Sequence, residues 1–333
     1  MGTKSDQTRR WRKFGLRTWV SAARPMSLLI GLGSAITGIA CGWAASPSPW
    51  SSRTFVVAVL CLLTVLFLQV GANYADDFSD GRRGVDEGRV FPEADQSAAS
   101  GSAHSARPDR SAGPARLVAS GARPAAVLTA SLVFWALAAA CGIGVCALSG
   151  RWWLLALGLA CLLAAWEYEG APLRYGYHGW GEVFVLACFG FATVIGTQWA
   201  IAGAVSEFSI FGSLSAGLAA CVVLVINNTR DISSDRVSGK RTLSVRIGRG
   251  RSAQLAFVLS LLASLFAFAA AILVDSTAGL VVALLTAILG ISNPIRTIRT
   301  SHDYGQAFTL ACVTCVILSL SYVLTALSLH PIG

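Results

Sequence analysis

The stretch GANYADDFSDGRR at positions 71–83 follows directly on the apolar run FVVAVLCLLTVLFLQV at positions 55–70. Together with its flanks, at about 54–75, the apolar run is long enough to cross a bilayer. A carboxylate in or beside a membrane segment costs free energy of insertion, so such carboxylates usually mark an ion or substrate site. The stretch therefore predicts a membrane helix that ends in a functional site.

The composition of the chain supports a membrane protein. Of the 333 residues, 54% are hydrophobic and only 13% are charged, and the mean hydropathy is positive. These values describe an integral membrane protein and exclude an ordinary soluble domain. We predict an all-α fold with nine transmembrane helices, at about 27–45, 54–75, 124–149, 152–167, 182–203, 209–228, 252–273, 277–292 and 306–328.

The distribution of basic residues predicts the orientation in the membrane. If the N-terminus is cytoplasmic, 24 of the 26 lysines and arginines lie in cytoplasmic segments, and only Arg53 and Arg151 lie outside them. Residues 1–25 then form a basic cytoplasmic segment that precedes a single transmembrane domain, 26–333. Basic segments that face anionic membrane lipid account for the net charge of +9, so no nucleic-acid partner is needed.

Cysteine and histidine do not form a recognisable metal or disulfide pattern. All nine cysteines lie in apolar stretches, including the CVTC motif at 312–315, and they are expected to pack between helices. The four histidines are isolated in sequence and do not predict a zinc site.

An N-x-x-x-D pattern occurs twice, at the predicted cytoplasmic ends of the second and sixth helices. The two copies, Asn73/Asp77 and Asn227/Asp231, are 154 residues apart. Such an echo indicates two related halves of a helical bundle. A further carboxylate follows each copy, Asp80 three residues after Asp77 and Asp235 four residues after Asp231, and either spacing places both carboxylates on one helix face.

The residues around the two motifs favour a prenyl diphosphate site. Carboxylates suit Mg²⁺, which commonly shares its remaining positions with substrate phosphates. Nearby basic side chains could bind a diphosphate, and the apolar helices could hold a hydrocarbon tail. Two alternatives are ordinary charged helix ends and an ion-coupled transporter, but transporter sites usually lie near the bilayer midplane. The nearby basic side chains that could bind a diphosphate are those of Arg82, Arg83, Arg230, Arg236, Lys240 and Arg241.

The chain resembles the UbiA superfamily of intramembrane prenyltransferases. The resemblance rests on ARPMSLLIGLGSAITG, NYADDFSDGRRGVD, RLVASG, YEGAPLRYGYHGWGEVFVLACFGFATVIGT and INNTRDISSDRVSGKRTLSVRIG. Within the superfamily, it is similar to the subgroup that prenylates 1,4-dihydroxy-2-naphthoate in menaquinone synthesis. The subgroup features are DxxDxxxGVD and NNTRDIxxDxxxGKRTL.

The resemblance implies nine helices around a central cavity, with Mg²⁺ and diphosphate bound near the cytoplasmic face. Asp76 stands where related sequences usually carry asparagine. Other branches have a Tyr-x-x-x-Lys pattern after helix four; here Tyr168 is followed at that spacing by Pro172, and the role of the lysine is assigned to Arg174. The catalytic residues implied are Asp77, Asp80, Asp231 and Asp235, and the metal ligands are these four with Asp86. The implied substrate-binding residues are Arg24, Asn73, Arg82, Tyr168, Arg174, Asn227 and Lys240.

The activity implied is Mg²⁺-dependent transfer of a polyprenyl group from polyprenyl diphosphate to 1,4-dihydroxy-2-naphthoate, with loss of CO₂ and diphosphate. The alternative within the superfamily is another acceptor, such as 4-hydroxybenzoate, homogentisate or a sugar phosphate. Residues 87–113, rich in Ser, Ala, Gly and Pro, are expected to form a disordered cytoplasmic loop; the alternative is a lid or regulatory element. The sequence leaves the prenyl chain length, the base and the oligomeric state open.

Overall fold

The computed structural model of the chain describes residues 11–46, 50–86, 90, 115–170, 172–299 and 304–329. Over these ranges the chain is helical, with short turns and no strand. The predicted loop 87–113 lies outside the described residues, apart from residue 90. The helices are α1 Leu16–Ala22, α2 Pro25–Ala44, α3 Ser52–Arg83, α4 Pro124–Ser149, α5 Leu154–Glu167, α6 Gly181–Ala202, α7 Glu207–Arg230, α8 Ile232–Val237, α9 Leu243–Leu273, α10 Thr277–Arg299 and α11 Tyr304–Leu329.

The predicted spans correspond to helices of the structure. Seven helices in the described part of the chain are long and apolar enough to cross a membrane: α2, α3, α4, α6, α7, α9 and α11. Two others, α5 and the Thr277–Gly290 part of α10, are apolar but shorter than the seven. The all-helical membrane fold is therefore confirmed, whereas by length alone the structure supports seven spans rather than nine.

Helix α3 extends well past its predicted end. It begins at the capping side chain of Ser51 and continues through the whole acidic motif to Arg83, where Gly84 ends it in a left-handed conformation with φ of 74°. The aspartates of the first motif therefore lie on a helix. Side chains one residue apart point in directions about 100° apart, so neighbouring aspartates face different surroundings.

The N-terminal segment contains structure that the sequence analysis did not predict. Helix α1 lies within the segment 1–25 and packs on α3, where the Tyr74 hydroxyl donates to the Trp19 carbonyl at 2.8 Å. Arg24 joins α1 to α2 with a φ of 56°. This left-handed conformation is strained in a residue other than glycine and typically costs about 1–3 kcal/mol, so it persists only where the surroundings hold it.

Close contact between α6 and α7 holds the centre of the bundle together. Gly190 of α6 lies against α7, and an added Cβ there would be 2.5 Å from the Ser213 carbonyl oxygen and 3.1 Å from the Gly217 Cα. Small residues at such crossings let membrane helices approach closely. Gly190 belongs to a π-helical segment of α6, Leu186–Ile195, and such wide turns are often found beside functional sites.

We expect Gly190→Ala to destabilise the fold because the new methyl group has no room against α7. Overpacking of this kind typically costs about 1–3 kcal/mol, so the detergent-solubilised variant should melt at a lower temperature than the wild type. Gly158→Ala is the matched control, since an added Cβ at this helical glycine meets nothing within 4 Å. Equal melting temperatures for the two variants would contradict the proposed packing.

Candidate functional site

A cavity of about 540 Å³ lies among α2, α3, α5, α6, α7 and α11. Much of its wall is apolar and comes from the helix interiors, whereas its polar residues come from helix ends and loops. The apolar wall includes Ile30, Val65, Leu68, Ala165, Phe184, Phe189, Val223, Leu224 and Phe308. The charged groups are Arg24, Asp76, Asp80, Arg116, Glu169, Arg230, Asp231, Asp235 and Lys240.

Helix α3 presents a polar stripe to the cavity. Gln69, Asn73, Asp76 and Asp80 all line it, at spacings of four, three and four residues, which is the period of one helix face. Two of these side chains donate hydrogen bonds to the start of α2 and to the residues just before it. The Gln69 amide donates to the Ser27 carbonyl at 2.7 Å, and the Asn73 amide donates to the Ala23 carbonyl at 2.7 Å.

Arg24 meets the α3 stripe from the start of α2. One terminal nitrogen of its guanidinium lies 3.3 Å from the Asp76 carboxylate. The Nε and the second terminal nitrogen are buried and have no hydrogen-bond partner among the described residues. Unsatisfied N–H groups of a buried guanidinium are unfavourable, and a phosphate oxygen would satisfy them. The side chain therefore fits an anion bound in the cavity.

Lys240 links the first motif to two distant loops. Its ammonium lies 3.3 Å from Asp80 and 2.6 Å from Glu169, and all three side chains are largely buried. Burial alone would lower the pKa of Lys240, but the adjacent carboxylates of Glu169 and Asp80 outweigh it and hold the pKa well above its ordinary value. The lysine is therefore charged, and it lies where it could reach a bound diphosphate.

Asp80 receives two further contacts from the protein. The Tyr177 hydroxyl donates to it at 2.9 Å and Arg83 at 3.2 Å. Burial raises the pKa of Tyr177, and the neighbouring Asp80 carboxylate raises it further, so the phenol stays protonated and donates. Arg83 also binds the backbone carbonyl of Glu169. These contacts fix the loop after α5 against the end of α3.

The second motif lies across the cavity at the end of α7. Arg230 binds Asp231 through two nitrogens, at 2.8 and 2.9 Å, and donates to the Asn227 side-chain oxygen at 2.6 Å. Asp235 follows on α8, is 5% exposed and also lines the cavity. Residues of both acidic motifs therefore line the same cavity.

The structure separates the predicted site residues into two groups. Those that line the cavity are Arg24, Asn73, Asp80, Tyr168, Asn227, Asp231, Asp235 and Lys240. Four others are not part of its wall: Asp77, Asp86, Arg82 and Arg174. Asp77 and Asp86 are buried elsewhere, and Arg82 is exposed and lies over the Phe78 ring. The placement of Asp77 differs from the prediction because its neighbour Asp76 occupies the face that looks into the cavity.

Three further charged residues of the cavity were not predicted as metal ligands or as groups that bind diphosphate. Asp76 could have been found from the polar stripe on α3, since it completes the helical spacing of Gln69, Asn73 and Asp80. Glu169 and Arg116 lie in connections between helices, where no periodicity relates them to the acidic motifs.

The oxygen donors of the cavity suit a hard cation such as Mg²⁺. Within the described residues, however, no three carboxylates, histidines or cysteines come together as a ready-made metal site. Asp76, Asp80 and Asp231 are instead each paired with a basic side chain. The arrangement fits a cation that takes some of its ligands from the protein and the others from a bound diphosphate. Proteins usually bind Mg²⁺ in this way when the substrate carries phosphates.

The membrane bundle encloses an apolar cavity that ends in two acidic motifs and several basic groups. This combination is typical of enzymes that act on lipid-linked anions. The chain belongs to the UbiA prenyltransferase family, whose model matches residues 32–311. A 1,4-dihydroxy-2-naphthoate octaprenyltransferase of Mycobacterium tuberculosis is 36% identical over 86% of this chain and 88% of its own length. The enzyme of that name from Haemophilus influenzae is 34% identical over 70% of each chain.

Solved structures share the fold. A UbiA homolog from Archaeoglobus fulgidus, bound to GPP and Mg²⁺, superposes with a TM-score of 0.60 at 15% identity, over 92% of this chain and 99% of that one. The apo structure of a UbiA homolog from Aeropyrum pernix K1 superposes with a TM-score of 0.59 at 18% identity, over 88% and 96%. The resemblance found in the sequence motifs is therefore confirmed at the level of family and fold.

Proposed function

We propose that this chain transfers a polyprenyl group from polyprenyl diphosphate to 1,4-dihydroxy-2-naphthoate with the help of Mg²⁺. CO₂ and diphosphate are lost, and the product is demethylmenaquinol. The observation that carries the proposal is the pair of unsatisfied, buried N–H groups of Arg24 at the polar end of an apolar cavity. The names of the curated relatives support this acceptor over the others considered.

The donor is expected to lie with its diphosphate among Arg24, Lys240 and Arg230 and with its tail between the helices. Basic groups fixed in a site of low dielectric stabilise the negative charge that develops on the diphosphate as the allylic C–O bond breaks. A bound Mg²⁺ would add to this charge stabilisation. Asp76, Asp80, Asp231 and Asp235 are the carboxylates that would hold it, with the Asn227 amide oxygen as a further candidate ligand.

Carbon–carbon bond formation requires that water be kept from the cationic prenyl carbon. The wall of Leu68, Phe184, Phe189 and Phe308 provides an apolar surface for this. The electron-rich ring attacks through the carbon that carries the carboxylate, and loss of CO₂ then restores aromaticity. The electron pair of the broken C–O bond leaves with the diphosphate.

The membrane topology that goes with this function has nine spans. The two shorter apolar helices, α5 and α10, would complete the set, since the bilayer can thin locally around a short hydrophobic segment. The excess of lysine and arginine in the connections near the acidic motifs supports a cytoplasmic position for these motifs. The enzyme then receives both substrates from the cytoplasmic leaflet of a bacterial membrane.

Purified protein supplied with Mg²⁺, a polyprenyl diphosphate and a panel of aromatic acceptors tests the proposal. We expect prenylated product and released CO₂ with 1,4-dihydroxy-2-naphthoate, and little product with 4-hydroxybenzoate or homogentisate. Excess chelator should abolish turnover, and added Mg²⁺ should restore it, because a trianionic leaving group needs charge neutralisation. Product with another acceptor alone would reassign the substrate, and full turnover in chelator would remove the role of the metal.

A further inference from the structure

Asp77 of helix α3 lies outside the cavity wall and contacts a different part of the chain. Asp77 is 1% exposed, and its two carboxylate oxygens accept the backbone N–H groups of Leu117 at 2.7 Å and Val118 at 3.0 Å. Two charge-assisted hydrogen bonds to consecutive amides form a strong and directional contact. The carboxylate therefore holds the segment 115–122, which follows the chain's long connection, against α3.

The same face of α3 is shaped to receive this segment. Gly81 lies one turn after Asp77, and an added Cβ there would be only 2.4 Å from the Val118 side chain. Leu117 is fully buried and packs in a cluster with Val70 and Tyr74. The segment closes on itself through a hydrogen bond from the Ala122 N–H to the Leu117 carbonyl at 2.9 Å. It is therefore a well-packed part of the fold.

Arg116 precedes Leu117 and extends from the segment to the cavity wall. Its Nε lies 3.3 Å from the carboxylate of Asp86, and the two side chains are 9% and 0% exposed. Asp86 belongs to the turn that follows α3. The two aspartates thus act on adjacent residues: Asp77 fixes the backbone after Arg116, and Asp86 fixes the side chain of Arg116 itself.

We infer that Asp77 and Asp86 are positioning residues that hold Arg116 at the cavity for the diphosphate of the donor, rather than metal ligands. The inference rests on the proposed function, because it assigns Arg116 to that function's anionic substrate. It follows from the contacts: both carboxylate oxygens of Asp77 accept backbone N–H groups of residues 117 and 118, and Asp77 is not part of the cavity wall, which Asp76 and Asp80 of the same helix line.

The first test separates positioning from metal binding. At saturating donor, Asp80→Asn should raise the Mg²⁺ concentration that gives half-maximal activity by at least about tenfold, whereas Asp77→Asn should leave it within about twofold. Hydrogen exchange should show faster exchange of the residue 117 and 118 amides in Asp77→Ala and no change in Asp76→Ala. A metal requirement in Asp77→Asn that shifts as far as in Asp80→Asn would overturn the inference.

The second test asks whether Asp77 acts through Arg116. Binding of radiolabelled geranylgeranyl diphosphate, measured without acceptor, should weaken about tenfold in Arg116→Gln and in Asp77→Ala, as for loss of a hydrogen bond to a charged group. The double variant should be no weaker than Arg116→Gln alone. Asp77→Asn, which keeps an acceptor oxygen, should recover part of the loss. Multiplicative effects in the double variant would show that Asp77 does not act through Arg116.

Two controls keep the outcomes separate. Asp86→Asn should weaken donor binding in the same way, and it serves where Asp77→Ala fails to fold. Since donor binding does not involve the acceptor, a wild-type protein that binds the donor but prenylates no naphthoate would refute the proposed function and leave this inference standing.

Discussion

We expect Asp80→Asn to lower prenyl transfer at least about 100-fold, the usual loss when a transition-state electrostatic contact worth roughly 2.7–4 kcal/mol is removed. Asp80 is 2% exposed, lines the cavity and contacts Lys240, Tyr177 and Arg83. Asparagine keeps the shape of the side chain and removes its charge. Turnover should be measured at equal amounts of folded protein, because a variant that fails to insert into the membrane also shows no activity.

The same experiment shows whether the two motifs form one site. Asp231→Asn should cause a loss of similar size, and the double variant should lose much less than the product of the two single effects, because groups that act together are not additive. Asp275→Asn is the matched control, since Asp275 lies exposed in the turn between α9 and α10. A near-normal rate in either cavity variant would remove the two-motif site.

The second large effect is expected from Lys240→Gln. The change removes the cation that lies between Asp80 and Glu169 and leaves two buried carboxylates without this partner. We expect kcat/KM for the prenyl diphosphate to fall at least about 100-fold, with an increase in KM, because the same cation is placed to bind the diphosphate. Lys240→Arg keeps the charge and should retain more activity than Lys240→Gln.

The neighbouring Arg241 gives a control of the same charge. Its side chain is exposed, so Arg241→Gln should leave kcat/KM nearly unchanged. Glu169→Gln should have a smaller effect than Lys240→Gln, since Asp80 still holds the ammonium at 3.3 Å. If Arg241→Gln and Lys240→Gln lowered kcat/KM equally, the effect would come from the general basic character of the loop, and the assigned contact would be wrong.

The helices could be predicted closely from the sequence because each is a long apolar run with a polar or glycine-containing end. The prediction of 124–149 for the third span matches α4, Pro124–Ser149. The apolar runs do not show how far each helix continues into the polar sequence beside it. Helix α3 extends to Arg83, and α9 begins at Leu243 although its apolar run begins nearly ten residues later. Helical hydrogen bonding continues through charged residues, so hydropathy alone underestimates such helices.

The site was predicted in part. Asp231 and Asp235 of the second motif line the cavity, but in the first motif the predicted ligand Asp77 contacts a loop, and Asp76 lines the cavity. Asn73/Asp77 and Asn227/Asp231 have the same spacing, but this spacing does not determine which side of each helix is turned toward the cavity. That orientation depends on packing against segments that are distant in the sequence. Residues 116 and 169 reach the cavity only through tertiary packing, which sequence spacing does not encode.

The prediction for the nine cysteines did not depend on tertiary packing. All nine are free in the structure, and six of them are buried. The expectation that they pack between helices came from their apolar surroundings in the sequence, and it required no knowledge of which helices are neighbours.

The pairing of charges in the cavity has a consequence for how a ligand enters. Asp76, Asp80 and Asp231 each already have a basic partner before any ligand binds. Burying a lone charge costs several kcal/mol, so these pairs let the site persist inside an apolar bundle. The basic groups would then be available to the phosphate oxygens of a diphosphate, and the carboxylates would be available to its cation. Binding would replace ion pairs that already exist, and release of diphosphate would restore them.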